Sequence, residues 1–196
     1  MRNKTINEAI SYIKTLFSER ADGHDVDHTL RVHRNAIRIA ENELGCVNLI
    51  VELAALLHDV DDHKLFHTEN NQNARYFLEK QGMSPDMIDD ICRVIQSVSF
   101  SKNRGKNPET IEGRIVQDAD RLDAMGAIGI ARTFAYGGEK GRMLDDSIKH
   151  FHEKLLLLKD EMNTETGKQM AESRHAFLER FLLEYEREKA ESKNED

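Results

Sequence analysis

Apolar residues recur at three- and four-residue intervals along most of this chain, and two-residue alternation of β-branched residues is nearly absent, so the spacing predicts helices throughout. Ile6, Ile10, Ile13 and Phe17 mark a first helix. Val32, Ala36, Ile39 and Ala40 mark a second, expected from about His28 to Leu44 and stopped by Gly45. The third is Leu49-Ile-Val-Glu-Leu-Ala-Ala-Leu-Leu57, apolar on nearly every side and therefore buried or half-buried, and it closes on the polar pair His58-Asp59. Ser84-Pro85 supplies an N-cap and a first-turn proline for a helix through Ile88, Ile91, Val94 and Ile95. Ser101-Lys-Asn-Arg-Gly-Lys-Asn-Pro108 reads as a basic loop.

Further on, Gly126 and Gly129 permit close helix packing, and Gly137-Gly138-Glu-Lys-Gly141 is expected to be a mobile turn over a substrate, with a plain helix stop as the alternative. From Thr164 to Lys189 the pattern is a long amphipathic helix with Met170, Phe177, Phe181 and Leu182 or Leu183 on one side, packing on the core or making a dimer contact. Ala190 to Asp196 is expected to fray. The fold class is all-α: one helical bundle over residues 1–196, with a core over about 20–163 and a C-terminal helix over about 164–190.

Composition narrows the setting. A chain of 196 residues with 39% hydrophobic content builds one core. The net charge of -8 argues against a nucleic-acid polymer as partner, since such surfaces cluster Lys and Arg. Cys46 and Cys92 are too few for a zinc–thiolate cluster or a disulfide framework. The amino terminus lacks the apolar core of a signal peptide, and no apolar run approaches the roughly 20 residues that span a bilayer. The expectation is a cytoplasmic protein without a membrane partner.

The chemistry concentrates in a few places. His28 opens the second helix, on whose apolar face it sits, and His58-Asp59 ends the third. Unpaired burial of a neutral polar group costs roughly 2–7 kcal/mol, so a pair delivered by a buried helix is either hydrogen-bonded or on a metal. Downstream, Ile115-Val-Gln-Asp118-Ala-Asp120-Arg-Leu-Asp123 interleaves acids with apolar residues, and at helical spacing Asp120 and Asp123 share a face with Val116. Asp118, Asp120 and Asp123 are all open as the last ligand. Two imidazoles and two carboxylates without thiolate suit Mn²⁺, Mg²⁺, Ni²⁺, Co²⁺ or Fe²⁺ in six-coordinate geometry and leave positions for water and a phosphate oxygen.

These strings resemble the HD-domain metal-dependent phosphohydrolases, whose pattern is a His, a His-Asp pair and a distant Asp. The resemblance implies His28, His58, Asp59 and Asp120 as metal ligands, Mn²⁺ first among the candidate ions, and a helical bundle of the HD-domain type. Thr133-Phe-Ala-Tyr-Gly-Gly and the stretch from Gln117 to Arg132 look like a small, single-domain bacterial subgroup, some of whose members act on nucleotides. The likeness runs from about Gly23 to about Asn163. Asp62, one helical turn past His58, matches the family's acid beside the metal and is assigned to proton transfer; Lys64 is assigned to a phosphate oxygen.

For the substrate, Arg121, Arg132, Lys140, Arg142 and His24 are the binding candidates, with Arg121 favoured because it lies inside the motif. The expected activity is hydrolysis of a small phosphorylated molecule, a nucleotide or deoxynucleoside triphosphate, releasing pyrophosphate. The alternatives are a nucleoside 5'-monophosphatase or other phosphoesterase, and a metal-bound nucleotide-binding module without turnover. A homodimer is an option that the C-terminal helix raises.

Overall fold

A computed structural model describes residues 2–18, 26–63, 65–98, 103 and 106–191. Among them lie α1 (Arg2–Leu16), α2 (Val26–Ala40), α3 (Asn48–Leu57), α4 (Gln72–Lys80), α5 (Pro85–Val98), α6 (Ile111–Asp123), α7 (Gly126–Glu139), α8 (Leu144–Glu153), a 3₁₀ turn (Leu155–Lys159) and α9 (Glu165–Glu191), with no strand among the described residues. The all-α expectation holds. The chain divides into two compact units, Met1–Asp120 and Arg121–Asp196. No helix among the described residues is long and apolar enough to cross a membrane.

In the first unit, α3 is the centre. Every residue from Ile50 to Leu57 is buried, as an all-round apolar sequence requires, and α1, α2 and α5 pack around it. α2 presents Val32, Ala36, Ile39 and Ala40 to that core, and α5 presents Ile88, Ile91, Val94 and Ile95. Ser84 Oγ accepts a hydrogen bond from the Met87 amide at 3.4 Å, in keeping with its capping position before Pro85. Glu52 is the polar residue within the buried run of α3; it faces His33 Nε2 at 3.2 Å and accepts a hydrogen bond from Arg2 Nε at 2.7 Å. A carboxylate withdrawn from water there is tolerable because a cation and an imidazole meet it.

The second helix is shorter than its spacing suggests. It ends at Ala40 rather than Leu44, with the Asn42 amide turning onto the Ile39 carbonyl. Leu44 is 96% exposed, so a further helical turn would have no apolar contact to hold it. Gly45, at φ +83°, then turns the chain toward α3.

The second unit joins α7, α8, the 3₁₀ turn and α9. Phe134, Phe151 and Phe181 form a cluster with centroids 5.7–5.9 Å apart. Thr164 Oγ1 caps α9 by accepting from the Gly167 amide at 2.9 Å. Gly137 and Gly138 lie inside α7 rather than in a turn, and Gly137 packs where a Cβ would collide with Ser147 Oγ; the helix stops plainly, with Gly141 at φ +64°. On α9 the buried positions are Gly167, Ala171, Leu178 and Leu182, whereas Phe177 and Leu183 face solvent. The buried stripe lies about one position round from that expected, with small residues, Gly167 and Ala171, at its N-terminal end.

Two consequences can be measured. Leu53→Ala, at a fully buried position of α3, is expected to cost about 2–5 kcal/mol in chemical denaturation. Burial lowers the His33 pKa below 6.5 despite the opposing pull of Glu52. The unfolded chain therefore binds the proton more readily, and the contribution of neutral His33 is present above 6.5 and lost as the pH falls from there to the lower folded value. Between about pH 7 and 5.5 the wild type should lose stability more steeply than His33→Gln, and parallel profiles would clear His33 of that role.

Candidate metal centre

Four side chains of the first unit converge. His28 stands in the first turn of α2 on the same stripe as Val32 and Ala36, so the helical period that buries those residues also carries its imidazole inward, leaving it 2% exposed. His58 is the C-cap of α3, and the chain then coils through tight turns in which the Val60 amide reaches the Leu57 carbonyl at 3.3 Å and the Asp62 amide reaches the Asp59 carbonyl at 3.1 Å. Asp120 comes from α6. Asn35, two helical turns beyond His28, donates its side-chain amide to the carbonyl of Ala119 at 3.2 Å and so ties α6 to α2 beside Asp120.

His28 Nε2 lies 3.4 Å from Asp59 Oδ2 and 3.5 Å from Asp120 Oδ1, and His58 Nε2 lies 3.4 Å and 3.9 Å from the same two atoms. Potential ligand atoms of His28, His58 and Asp120 all fall within 4.8 Å of one another. The two rings meet edge to face, 5.3 Å between centroids. Separations of 3.4–3.9 Å are too long for good hydrogen bonds. They lie between the adjacent and opposite ligand spacings of a six-coordinate ion with bonds of about 2.1 Å, roughly 3 and 4 Å.

The hydrogen-bonding of His58 agrees. Its Nδ1 sits 2.9 Å from the Ala55 carbonyl and must carry a proton to bond there, so that in the neutral ring Nε2 keeps the lone pair. That Nε2 is buried and has no hydrogen-bond partner. In the neutral ring a buried nitrogen without a hydrogen-bond partner, beside two carboxylates, is satisfied by a cation at the common point. The residues present therefore fit a divalent metal.

Among the three acids open as the last ligand, Asp120 is the one grouped with the histidines. Asp118 is fully buried two positions away on the helix, and Asp123 receives a hydrogen bond from Arg132 Nη1 at 2.6 Å within the second unit. Arg121, only 4% exposed, donates to the Glu161 carbonyl oxygen and lies 3.4 Å from the Glu161 carboxylate. Lys140 and Arg142 are exposed and lie over the Tyr136 ring, 5.5 and 5.2 Å from its centroid. Asp62 follows the ligand turn and is 3.7 Å from His63 Nδ1. Lys64 and His24 lie outside the described residues. Asn35 escaped the sequence reading, although its spacing of seven from His28 places both on one helical face.

Comparison with known proteins identifies the family. The HD-domain family profile matches residues 25–125. The uncharacterized protein YpgQ of Bacillus subtilis strain 168 is 39% identical over 194 residues, covering 94% of each chain. The crystal structure of Bacillus subtilis YpgQ in complex with ADP superposes with a TM-score of 0.84 at 36% identity, over 95% of this chain and 96% of that one. An HD-superfamily hydrolase from Bacillus thuringiensis matches with a TM-score of 0.80 at 41% identity, over 96% and 98% of the two chains. With the His, His-Asp and Asp groups gathered at one point and these likenesses extending over nearly its whole length, this chain belongs to the HD-domain family.

Proposed function

We propose that this protein is a divalent-metal-dependent phosphohydrolase whose substrate is a nucleoside or deoxynucleoside triphosphate, cleaved to a monophosphate and pyrophosphate. The observation that carries the reading is the convergence of His28, His58, Asp59 and Asp120 around the partnerless, buried Nε2 of His58. The HD-superfamily hydrolase from Bacillus thuringiensis supports the hydrolytic class, and the ADP complex of YpgQ supports a nucleotide ligand.

In this reading His28, His58, Asp59 and Asp120 hold the ion, with Mn²⁺ the first candidate for a mixed nitrogen and oxygen set. A divalent ion there lowers the pKa of water and polarises a phosphoryl group. Asp62, on the turn after Asp59, takes up and returns a proton at its carboxylate. Lys64 and His24 bind phosphate oxygens. Lys140, Arg142, Arg121 and Arg132 are the further candidates, and a phosphate drawing on Lys140, Arg121 or Arg132 would compete with Glu139, Glu161 or Asp123 for the cation. The ADP complex of YpgQ also accords with a nucleotide-binding module that lacks turnover, so the product decides between the two.

The test is to strip the protein of metal, restore Mn²⁺, and incubate it with nucleoside mono- and triphosphates, identifying products by chromatography and mass. Pyrophosphate with a nucleoside monophosphate is the expected outcome. Orthophosphate released from monophosphates would replace the reading with a 5'-monophosphatase, and binding without any product would replace it with the non-hydrolytic module. His28→Ala, His58→Ala, Asp59→Ala and Asp120→Ala should each abolish turnover and weaken Mn²⁺ binding. Asp62→Asn should keep the metal and lose about 10²–10⁴-fold in kcat, as removal of a proton-transfer group does.

A further inference from the structure

The turn that carries two of the metal-site residues is held from behind by a helix with no other part in the site. α4 begins after Asn71, whose backbone is left-handed at φ 56° and whose side chain makes no cap bond to the helix; it donates instead to the Cys92 carbonyl at 3.1 Å. The first-turn amides of α4 thus need an acceptor from elsewhere. Asp61 supplies it. Its Oδ1 accepts from the Asn73 amide at 2.9 Å and its Oδ2 from the Ala74 amide at 3.0 Å, the positions an N-cap ordinarily serves, and its negative charge suits a helix N-terminus.

The bonding is reciprocal. Asn73 Nδ2 donates back to the Val60 carbonyl at 2.7 Å, so three hydrogen bonds join Val60 and Asp61 to Asn73 and Ala74. α1 backs the arrangement: Tyr12 OH donates to the Asn73 carbonyl at 3.4 Å, and the Tyr12 ring stacks on Phe77 of α4 with 5.1 Å between centroids. Within the turn itself, the backbone bonds from Val60 to Leu57 and from Asp62 to Asp59 are longer, at 3.3 and 3.1 Å. An acid two residues past Asp59 could have pointed at the ion; here both its oxygens are committed to helix amides.

We propose that Asp61 and Asn73 are positioning residues for the metal centre, acting as a two-way clamp that fixes the His58-Asp59-Val60 turn against α4 so that the Asp59 carboxylate meets the ion. The proposal rests on the metal reading given above. A helix cap with no such role would affect stability alone, whereas a clamp also sets how the ion is held.

The experiment compares wild type, Asp61→Ala, Asp61→Asn, Asn73→Ala and, as a stability control outside the turn and α4, Ile91→Val in the α5 core. Mn²⁺ affinity is measured by chelator competition, and the visible absorption of the Co²⁺-loaded proteins is recorded, both at a temperature where every apo variant used remains folded. Asp61→Ala should raise the Mn²⁺ Kd by about tenfold or more, the usual effect of losing a group that orients a ligand, and alter the Co²⁺ bands. Asn73→Ala should shift both in the same direction and serves alone if Asp61→Ala fails to fold. Asp61→Asn, which keeps a carbonyl acceptor, should recover part of the loss, and Ile91→Val should leave both readings as in the wild type. Asp61→Ala or Asn73→Ala within about twofold of wild-type affinity and with unchanged Co²⁺ bands would overturn the clamp while leaving the metal centre intact. A wild type that binds neither ion would overturn the metal reading and the clamp together.

Discussion

Gathering two imidazole nitrogens and two carboxylates at one largely buried point is unfavourable unless something positive sits between them, and this is the constraint on which the first unit depends. The carboxylates of Asp59 and Asp120 repel, and His58 Nε2 lacks a donor. The surrounding helices must therefore keep together groups that would separate if left to themselves. α3 does most of this by being apolar on all sides, so that α1, α2 and α5 gain by packing on it and its C-terminal pair is delivered to a defined place. An ion bound at that point would return free energy to the fold, as ligand binding to the native state does.

Polar groups around the site are arranged so that few can drift. His58 is turned by the Ala55 carbonyl, α6 is tied to α2 through Asn35, and Glu52 in the heart of α3 is matched by Arg2 and His33. Each bond serves a backbone carbonyl or a buried charge and so fixes the helices from which the ligand atoms face inward. The acids near the motif divide by the same logic. Asp61 caps a helix and Asp123 holds Arg132, while Asp59 and Asp120 are directed at the histidines.

The second unit follows a different principle, close approach by small residues. Gly137 lets Ser147 reach the α7 backbone, Gly167 and Ala171 are buried on α9, and Phe134, Phe151 and Phe181 cluster together. The large apolar residues Phe177 and Leu183 are left outside this arrangement.

The helical class, the burial of α3, the capping of α5 by Ser84 and the grouping of His28 with His58 and Asp59 were legible in the sequence itself, because helical period and residue chemistry are local properties that need no partner to be read, whereas α4 and α8 became visible only in the structure. Where a helix ends or which of its residues are covered depends on what packs there, so the stop of α2 at Ala40, the passage of α7 through Gly137 and the buried stripe of α9 were decided only in the folded chain. The same holds for choosing Asp120 over Asp118 and Asp123. All three acids lie within one helix and six positions, and only the placement of α6 against the histidines of other helices separates the one that meets them from the two that do not.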